Sequence, residues 1–476
     1  MDIDDRVPYR LGTSKLPPLP IDWKIVGEHF PPKVQEACSI VEEYFKGELV
    51  SLFYIHRHGE ERNTVLTLST YNPALKDKWR EAIEKLYECF KHEQGLVAEI
   101  ADYSVFNPNL PKSITTVEID LYQVAALIDD HEWMAVDVVR WYSPVRGVYW
   151  PTIAITARDA GKESWWSKKI PAIEQFVKDQ GLDLEVVLRV LDHMPTHPEG
   201  DLDEYKNEFS RDVYKDFQKI GQSLGIQNVD GSVSLGCRIL VEDGCQFGVT
   251  SYRRFQQGAE LTQTGLVGLN IQTPSSHDDF YIKKCLLNHN KLEHLQPCNL
   301  GKIVAVSSRS LLTDWCLFEL DRSEFVWKDP KVWAQIKDGK TYQVKKWGRS
   351  TGLTEGTISI PPSIINSKYM EHAQGASPII SVRCIVSSKG THFFLPGDNG
   401  AFVQENDSGA ILGFCAAYNK ATKVSYMTPM ATIIGEIDNV LTSKIKEPKE
   451  IQIRHDTCLA QEDQNIQQLT KTATFS

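Results

Sequence analysis

The chain has 476 residues, with 52 Lys plus Arg against 63 Asp plus Glu, a net charge of −11. That balance argues against nucleic-acid and anionic-membrane partners, which require clustered positive charge. Apolar residues make up 41% and charged residues 24%, the composition of a globular chain long enough for several domains.

No apolar run approaches the roughly 18 residues of a membrane-crossing helix. The opening MDIDDRVPYR is acidic and lacks the apolar stretch of a secretory leader. The 10 cysteines are scattered and none forms a CxxC pair. Reduced thiols in an intracellular protein are therefore expected. No Cys/His cluster has ligand spacing, so no metal is expected, and nothing calls for a cofactor. His56 and His58 form an isolated HxH, which reads as a solvated strand end.

Residues 1–20 are rich in Pro and charge (KLPPLP) and read as an extended lead-in. Residues 21–192 read as an α+β domain built from two α-β-β-α-β repeats, at about 30–105 and 115–192. Each opens with a helix, about 34–45 and 121–129. The strands TVLTL (64–68) and TIAI (152–155) correspond, as do the helices from Trp79 to Phe90 and from Trp166 to Val177. Thr64 and Thr152 lie 88 positions apart, Trp79 and Trp166 lie 87 apart, and Gly95 and Gly181 lie 86 apart. Ile83, Leu86 and Phe90 match Ile170, Ile173 and Val177, and each set forms one stripe three or four residues apart. Gly95 and Gly181 suit helix C-caps, and short strands follow at 97–100 and 184–187. Two such units packed together would support each other's small sheets. Trp133, Trp141, Trp150 and Trp165 read as core residues rather than as a binding surface.

Residues 193–230 are polar and punctuated by Pro and Gly, and read as a linker. From 231 to 445 the pattern changes to many short apolar runs between turn clusters, the signature of an all-β barrel or sandwich. ATIIGEIDNVL (431–441) reads as a closing helix. The tail 446–476 is polar and without a packing pattern.

Four phrases carry a resemblance over 231–445. They are GCRILVEDGCQFGVTSYRRF (236–255), TDWCLFEL (313–320), VKKWGRSTGLTEGTIS (344–359) and FLPGDNGAFVQENDSGAILGF (394–414). In this order they resemble the trypsin/chymotrypsin-like serine peptidases of the PA clan. The resemblance implies a double β-barrel, with the first phrase at the catalytic histidine, the second at the catalytic aspartate and the fourth at the Gly-Asp-Ser-Gly nucleophile loop.

A serine peptidase needs a hydroxyl nucleophile, an imidazole base, a carboxylate to orient it, and backbone donors for the oxyanion. By this resemblance Asp314 holds the carboxylate position. The histidine position holds Arg253, and a slip to Tyr252 or Arg254 restores no imidazole. A guanidinium stays protonated and cannot act as base. The nucleophile position holds Asn399, in Gly397-Asp398-Asn399-Gly400. Asp407-Ser408-Gly409 is a decoy: Asn406 precedes it, and the phrase suits a hairpin turn. His277, His289 and His294 fall in a loop-rich stretch and match no base position.

The expectation is a catalytically degenerate member, a pseudoprotease that binds a peptide or protein in the remnant cleft. An Arg253–Asp314 contact should replace the lost imidazole, and the backbone of Gly397 and Asn399 should keep the anion nest. Two alternatives stand beside it. One is an active endopeptidase using an unrecognised nucleophile such as Ser408, and the other is a scaffold that binds no peptide.

Overall fold

The computed structural model describes residues 4–191 and 223–444, apart from stretches inside them, chiefly 17–22, 58–61, 71–75, 104–110, 241–245, 256–262, 279–297, 308–313, 321–332 and 371–378, and single positions that include Arg253 and Arg254. The tail 446–476, His58 and the histidines at 277, 289 and 294 lie outside the described residues.

The chain opens with three short strands, β1 (Asp4–Val7), β2 (Arg10–Gly12) and β3 (Trp23–Ile25). There follow helix α1 (Pro32–Tyr44), the strands β4 (Val50–Arg57) and β5 (Asn63–Ser69), helix α2 (Lys76–Phe90) and β6 (Leu96–Asp102). These strands form one six-stranded sheet in the order β1-β2-β6-β5-β4-β3. The expected lead-in thus differs in part from the structure: β1 and β2 extend the sheet. Arg10 is the reason, because its guanidinium is buried against Glu99 of β6 and beside Arg57 of β4. Burial alone would raise the Glu99 carboxyl, but the two guanidiniums overcome that and hold it below the usual carboxylate range.

The second unit repeats the element order: helix α3 (Leu121–Leu127), β7 (Trp133–Ser143), β8 (Val148–Ala157), helix α4 (Ile170–Asp179) and β9 (Glu185–Val190). A π-wound turn, Trp165–Lys169, leads directly into α4. The pairing also repeats. β4–β5 and β7–β8 are antiparallel, while β5–β6 and β8–β9 are parallel. The parallel registers agree, Thr64 facing Val97 and Thr152 facing Glu185, the same separation in both units. The stripes expected from spacing are all buried: Ile83, Leu86 and Phe90 in one unit, Ile170, Ile173 and Val177 in the other. Gly181 takes a φ of 70°, the left-handed conformation of a C-cap. Trp133, Trp141 and Trp165 are buried, and Trp150 lies half-buried beneath the Arg146 guanidinium.

From Ser223 on, the chain folds as a chymotrypsin-like pair of β-barrels. The first uses β10 (Ser223–Ile226), β11 (Val233–Ser234), β12 (Cys237–Leu240), β13 (Gln246–Thr250), β14 (Asn270–Thr273), β15 (Cys298–Val306) and β16 (Cys316–Leu320). Their order is β11-β10-β14-β15-β16-β13-β12. The barrel therefore starts inside the stretch expected to be a linker. SLGI (223–226) is too short for its alternation to stand out, yet it is fully paired between β11 and β14.

The second barrel uses β17 (Tyr342–Gly348), β18 (Gly352–Ile358), β19 (Ser363–Asn366), β20 (Ile379–Ser387), β21 (Phe402–Glu405), β22 (Ile411–Asn419) and β23 (Val424–Pro429). Six of these strands close on themselves in the circuit β17-β18-β20-β23-β22-β21 and back to β17. The closing helix α5 (Met430–Lys444) buries Met430, Ile433 and Ile437 against Val249, Trp315 and Leu317 of the first barrel and Phe402 and Phe414 of the second. Among the described residues no helix is long and apolar enough to cross a membrane.

One connection departs from the expected division into a front and a back half. β19 pairs with β7, Ile364 opposite Val136 and Ile365 opposite Ala135. The second α/β unit and the second barrel therefore share one ten-stranded sheet. β7 is buried on both faces over most of its length, which calls for neighbours on two sides. The first unit keeps its own sheet.

Candidate functional site

The candidate site lies where four segments of the double barrel meet. β13 delivers Thr250-Ser251-Tyr252, and Asp314 sits at the entry to β16. The loop 397–400 precedes β21, and the turn Arg349–Thr351 joins β17 to β18.

Asp314 is 5% exposed. Its carboxylate accepts a hydrogen bond from the Ser251 hydroxyl and another from the Tyr252 amide N–H at 3.1 Å. The expected Arg253–Asp314 contact falls on a residue outside those described. The sequence gives Ser251 no role, and Tyr252 enters it only as a slipped register of the histidine position. They are the residues just before the histidine position, so chain continuity places them against the carboxylate.

The loop Gly397-Asp398-Asn399-Gly400 is buried throughout. Gly397 and Gly400 have φ of 90° and 89°, the left-handed region that favours glycine. A Cβ at Gly400 would stand 2.5 Å from both the Ser234 carbonyl and Thr250 Oγ1. One at Gly397 would stand 2.3 Å from Ser350 Oγ. The close approach of the first barrel thus explains Gly400, and that of the β17–β18 turn explains Gly397.

Asp398 is the organising charge of this loop. Its carboxylate takes the Lys346 ammonium at 2.8 Å, the Thr351 hydroxyl at 2.7 Å and the amides of Ser350 at 2.8 Å, Thr351 at 3.2 Å and Leu395 at 3.1 Å. Lys346 and Asp398 are both fully buried, so each is the other's neutralising partner. Ser234 fastens the loop from the first barrel. Its amide donates to the Asn399 carbonyl at 2.7 Å and its hydroxyl to the Gly397 carbonyl at 3.1 Å. The same hydroxyl accepts from the Arg349 amide at 2.9 Å, and the Arg349 guanidinium is buried in a two-pronged pair with Asp278. None of these bonds uses the side chain at position 399. Asp398 and Ser234 thus fasten the loop, and a carboxamide is accommodated where the resemblance implies a hydroxyl.

Lys346, Ser350 and Thr351 belong to the phrase that signals the barrel, but that phrase by itself does not show that they hold Asp398. A buried Asp needs hydrogen-bond donors or a cation, and the Lys in that phrase is the available signal.

The chemistry open to this arrangement is limited. Asn399 is buried and its uncharged carboxamide is no nucleophile. Burial, reinforced by the charge of Asp314, pushes the Cys316 thiol well above its ordinary value. Burial likewise pushes the Cys415 thiol up to about 12. Both stay neutral at physiological pH and are poor nucleophiles. Ser408 stands apart from the site, exposed at the turn between β21 and β22. Its hydroxyl donates to Glu405 at 2.6 Å and accepts from the Ala410 amide at 3.1 Å.

The sequence matches no family of known proteins and no curated protein. Among solved structures it is similar to a protease of Nocardiopsis, at 12% identity and a TM-score of 0.27, over 46% of this chain and 95% of that one. A Cellulomonas bogoriensis chymotrypsin matches at 13% identity and 0.27, over 46% of this chain and 94% of that one. An inactivated protease paralogue of the scabies mite matches at 11% and 0.28, over 50% of this chain and 99% of that one. The two-barrel architecture rests on the strand pairing itself.

Proposed function

We propose that residues 231–445 are a catalytically degenerate relative of the trypsin/chymotrypsin-like serine peptidases, a pseudoprotease that holds a peptide or protein segment without cutting it. One observation carries this reading: the Gly-Asp-x-Gly loop is fully built, with Asp398 neutralised by Lys346, around a buried carboxamide at Asn399. Arg253, at the position of the missing imidazole, stays protonated and cannot accept a proton from a nucleophile. Asp314, which would orient an imidazole, is engaged by Ser251 and the Tyr252 amide. What remains useful in such a loop is its backbone, whose N–H groups suit a peptide carbonyl.

The two α/β units act in this reading as duplicated partner-binding or regulatory elements. Support comes from their shared element order and register. The second unit also packs on β22, the strand paired with the one that follows the loop: Ala416 and Ala417 are buried with Met134, Val139 and Trp141. Asn419 donates to Thr156 at 2.8 Å. An extended ligand adding to that part of β22 would compete with the unit.

Fluorescein-labelled casein tests the reading. The full chain is expected to bind it saturably while leaving every casein peptide bond intact. Cleavage that persists in a homogeneous preparation overturns the proposal, and so does the absence of binding.

A further inference from the structure

The second α/β unit contains a chain of three side chains unlike anything described in the barrel cleft. His131 follows α3, Asp159 follows β8, and Ser164 immediately precedes the π-wound turn Trp165–Lys169. Ser164 Oγ lies 3.1 Å from His131 Nε2, and His131 Nδ1 lies 2.8 Å from Asp159 Oδ2. Asp159 is itself held. Its Oδ1 accepts from the Trp165 indole N–H at 3.0 Å and the Glu132 amide at 3.2 Å, and the Lys162 ammonium stands 3.0 Å from Oδ2.

Burial alone would raise the Asp159 carboxyl, but the bonds from Lys162, Trp165 and His131 overcome that and hold it below its ordinary value. An ionised Asp159 is an acceptor only, so the His131 proton sits on Nδ1. In the uncharged ring Nε2 turns its lone pair toward the Ser164 hydroxyl, the polarity that activates a nucleophile. The Trp165 ring packs on the imidazole with centroids 4.5 Å apart. His131 is 4% exposed and so held in orientation, whereas Ser164 is only half-buried.

Two further observations separate this array from an ordinary helix cap. The first unit enters its own second helix without it: the segment 45–50 reads FKGELV, with no histidine, and 70–75 reads TYNPAL, with no carboxylate. The π-wound turn after Ser164 is a rare geometry that concentrates at functional sites.

We propose that Ser164, His131 and Asp159 form an acyl-transfer site for small activated esters, with Ser164 as nucleophile, His131 as general base and Asp159 as the positioning carboxylate. Ser164 Oγ attacks the ester carbonyl carbon, and its proton passes to His131 Nε2. The bond from that carbon to the leaving alcohol breaks, the alcohol takes the proton from His131, and the acyl group stays on Ser164. Water then attacks the acyl carbon and gives a proton to His131. The acid departs as Ser164 Oγ recovers that proton. The proposal goes beyond the peptide-binding reading and uses no residue of 231–445.

The test is reaction of the full chain with a fluorophosphonate, the adduct being mapped by peptide mass spectrometry. The Ser164 oxygen displaces fluoride from phosphorus, so an adduct on Ser164 is expected. Its rate of formation should rise with pH, because only an uncharged imidazole can take the Ser164 proton. Ser164→Ala should remove the adduct, and His131→Gln should slow its formation at least about 100-fold. Circular dichroism of each variant separates loss of reaction from loss of fold, and should a variant not fold, the pH profile of the wild-type adduct decides. No adduct on Ser164 overturns the proposal, as does one that forms at a rate independent of both pH and His131. An adduct inside 231–445 would count against the pseudoprotease reading instead, so the two claims fail on different peptides.

Discussion

The two α/β units share an element order and a register but treat a buried carboxylate in opposite ways. In the first, Glu99 on β6 lies between the guanidiniums of Arg10 and Arg57, and its charge is neutralised within one sheet. In the second, Asp137 on β7 is fully buried and accepts from the hydroxyls of Ser363 at 2.6 Å, Tyr426 at 2.9 Å and Thr422 at 3.2 Å. All three donors come from the second barrel. The first unit is electrostatically complete, whereas the second is completed by its neighbour, which also supplies β19 as a sheet partner. One plan thus yields a self-contained module in one place and an inseparable part of a larger sheet in the other.

Removing the anion of the complete unit should have the largest effect. Glu99→Gln removes the anion that the buried Arg10 and Arg57 share and is expected to cost about 3–5 kcal/mol, read as a lowered urea midpoint. Asp398→Asn, which strands Lys346 in the barrel, should cost a similar amount and lower the same midpoint. A loss below about 1 kcal/mol in either variant would mean that water reaches the stranded cation.

The second unit should instead announce itself through pH. Burial pushes the Asp137 carboxyl up to about 6, against the opposing hydroxyl bonds from Ser363, Tyr426 and Thr422. A folded value above the unfolded one means that the folded chain takes the proton more readily. Stability from this group is therefore full in acid and is lost as pH rises from the ordinary carboxyl value of 3.8 through about 6. The gap corresponds to about 3 kcal/mol. Wild type should gain up to about that much relative to Asp137→Asn as pH falls from about 7 to about 4. Parallel pH dependences in the two chains would contradict this.

Smaller effects test the seam and the decoy. Asn419→Ala removes the bonds to Thr156 and Tyr426 and should cost about 1–2 kcal/mol, with increased proteolysis between the second unit and the barrel. Ser408→Ala alters an exposed turn and should shift stability by no more than about 0.5 kcal/mol, with casein binding unchanged.

Much of this molecule was legible in its residues, for identifiable reasons. The stripes through Ile83 and Ile170 and the C-cap position of Gly181 are local signals, and the two units follow from them. The loop 397–400 and Asp314 were legible because their phrases are short and contiguous. The pairing of β7 with β19 was not, because a strand apolar on both faces announces two neighbours without naming them. Arg10 was hidden in a segment that otherwise reads as coil, its partner Glu99 lying almost ninety positions away. Ser164, His131 and Asp159 were invisible for the same reason: no phrase links them, and only the turn after β8 brings them together.

The central claim is that the crevice around Asp314 and Asn399 binds without acylating. Its most direct test is exhaustive fluorophosphonate treatment of the Ser164→Ala chain, followed by mass mapping of residues 231–445. Every serine in that span should stay unmodified. A stoichiometric adduct on any of them, Ser408 included, would contradict it.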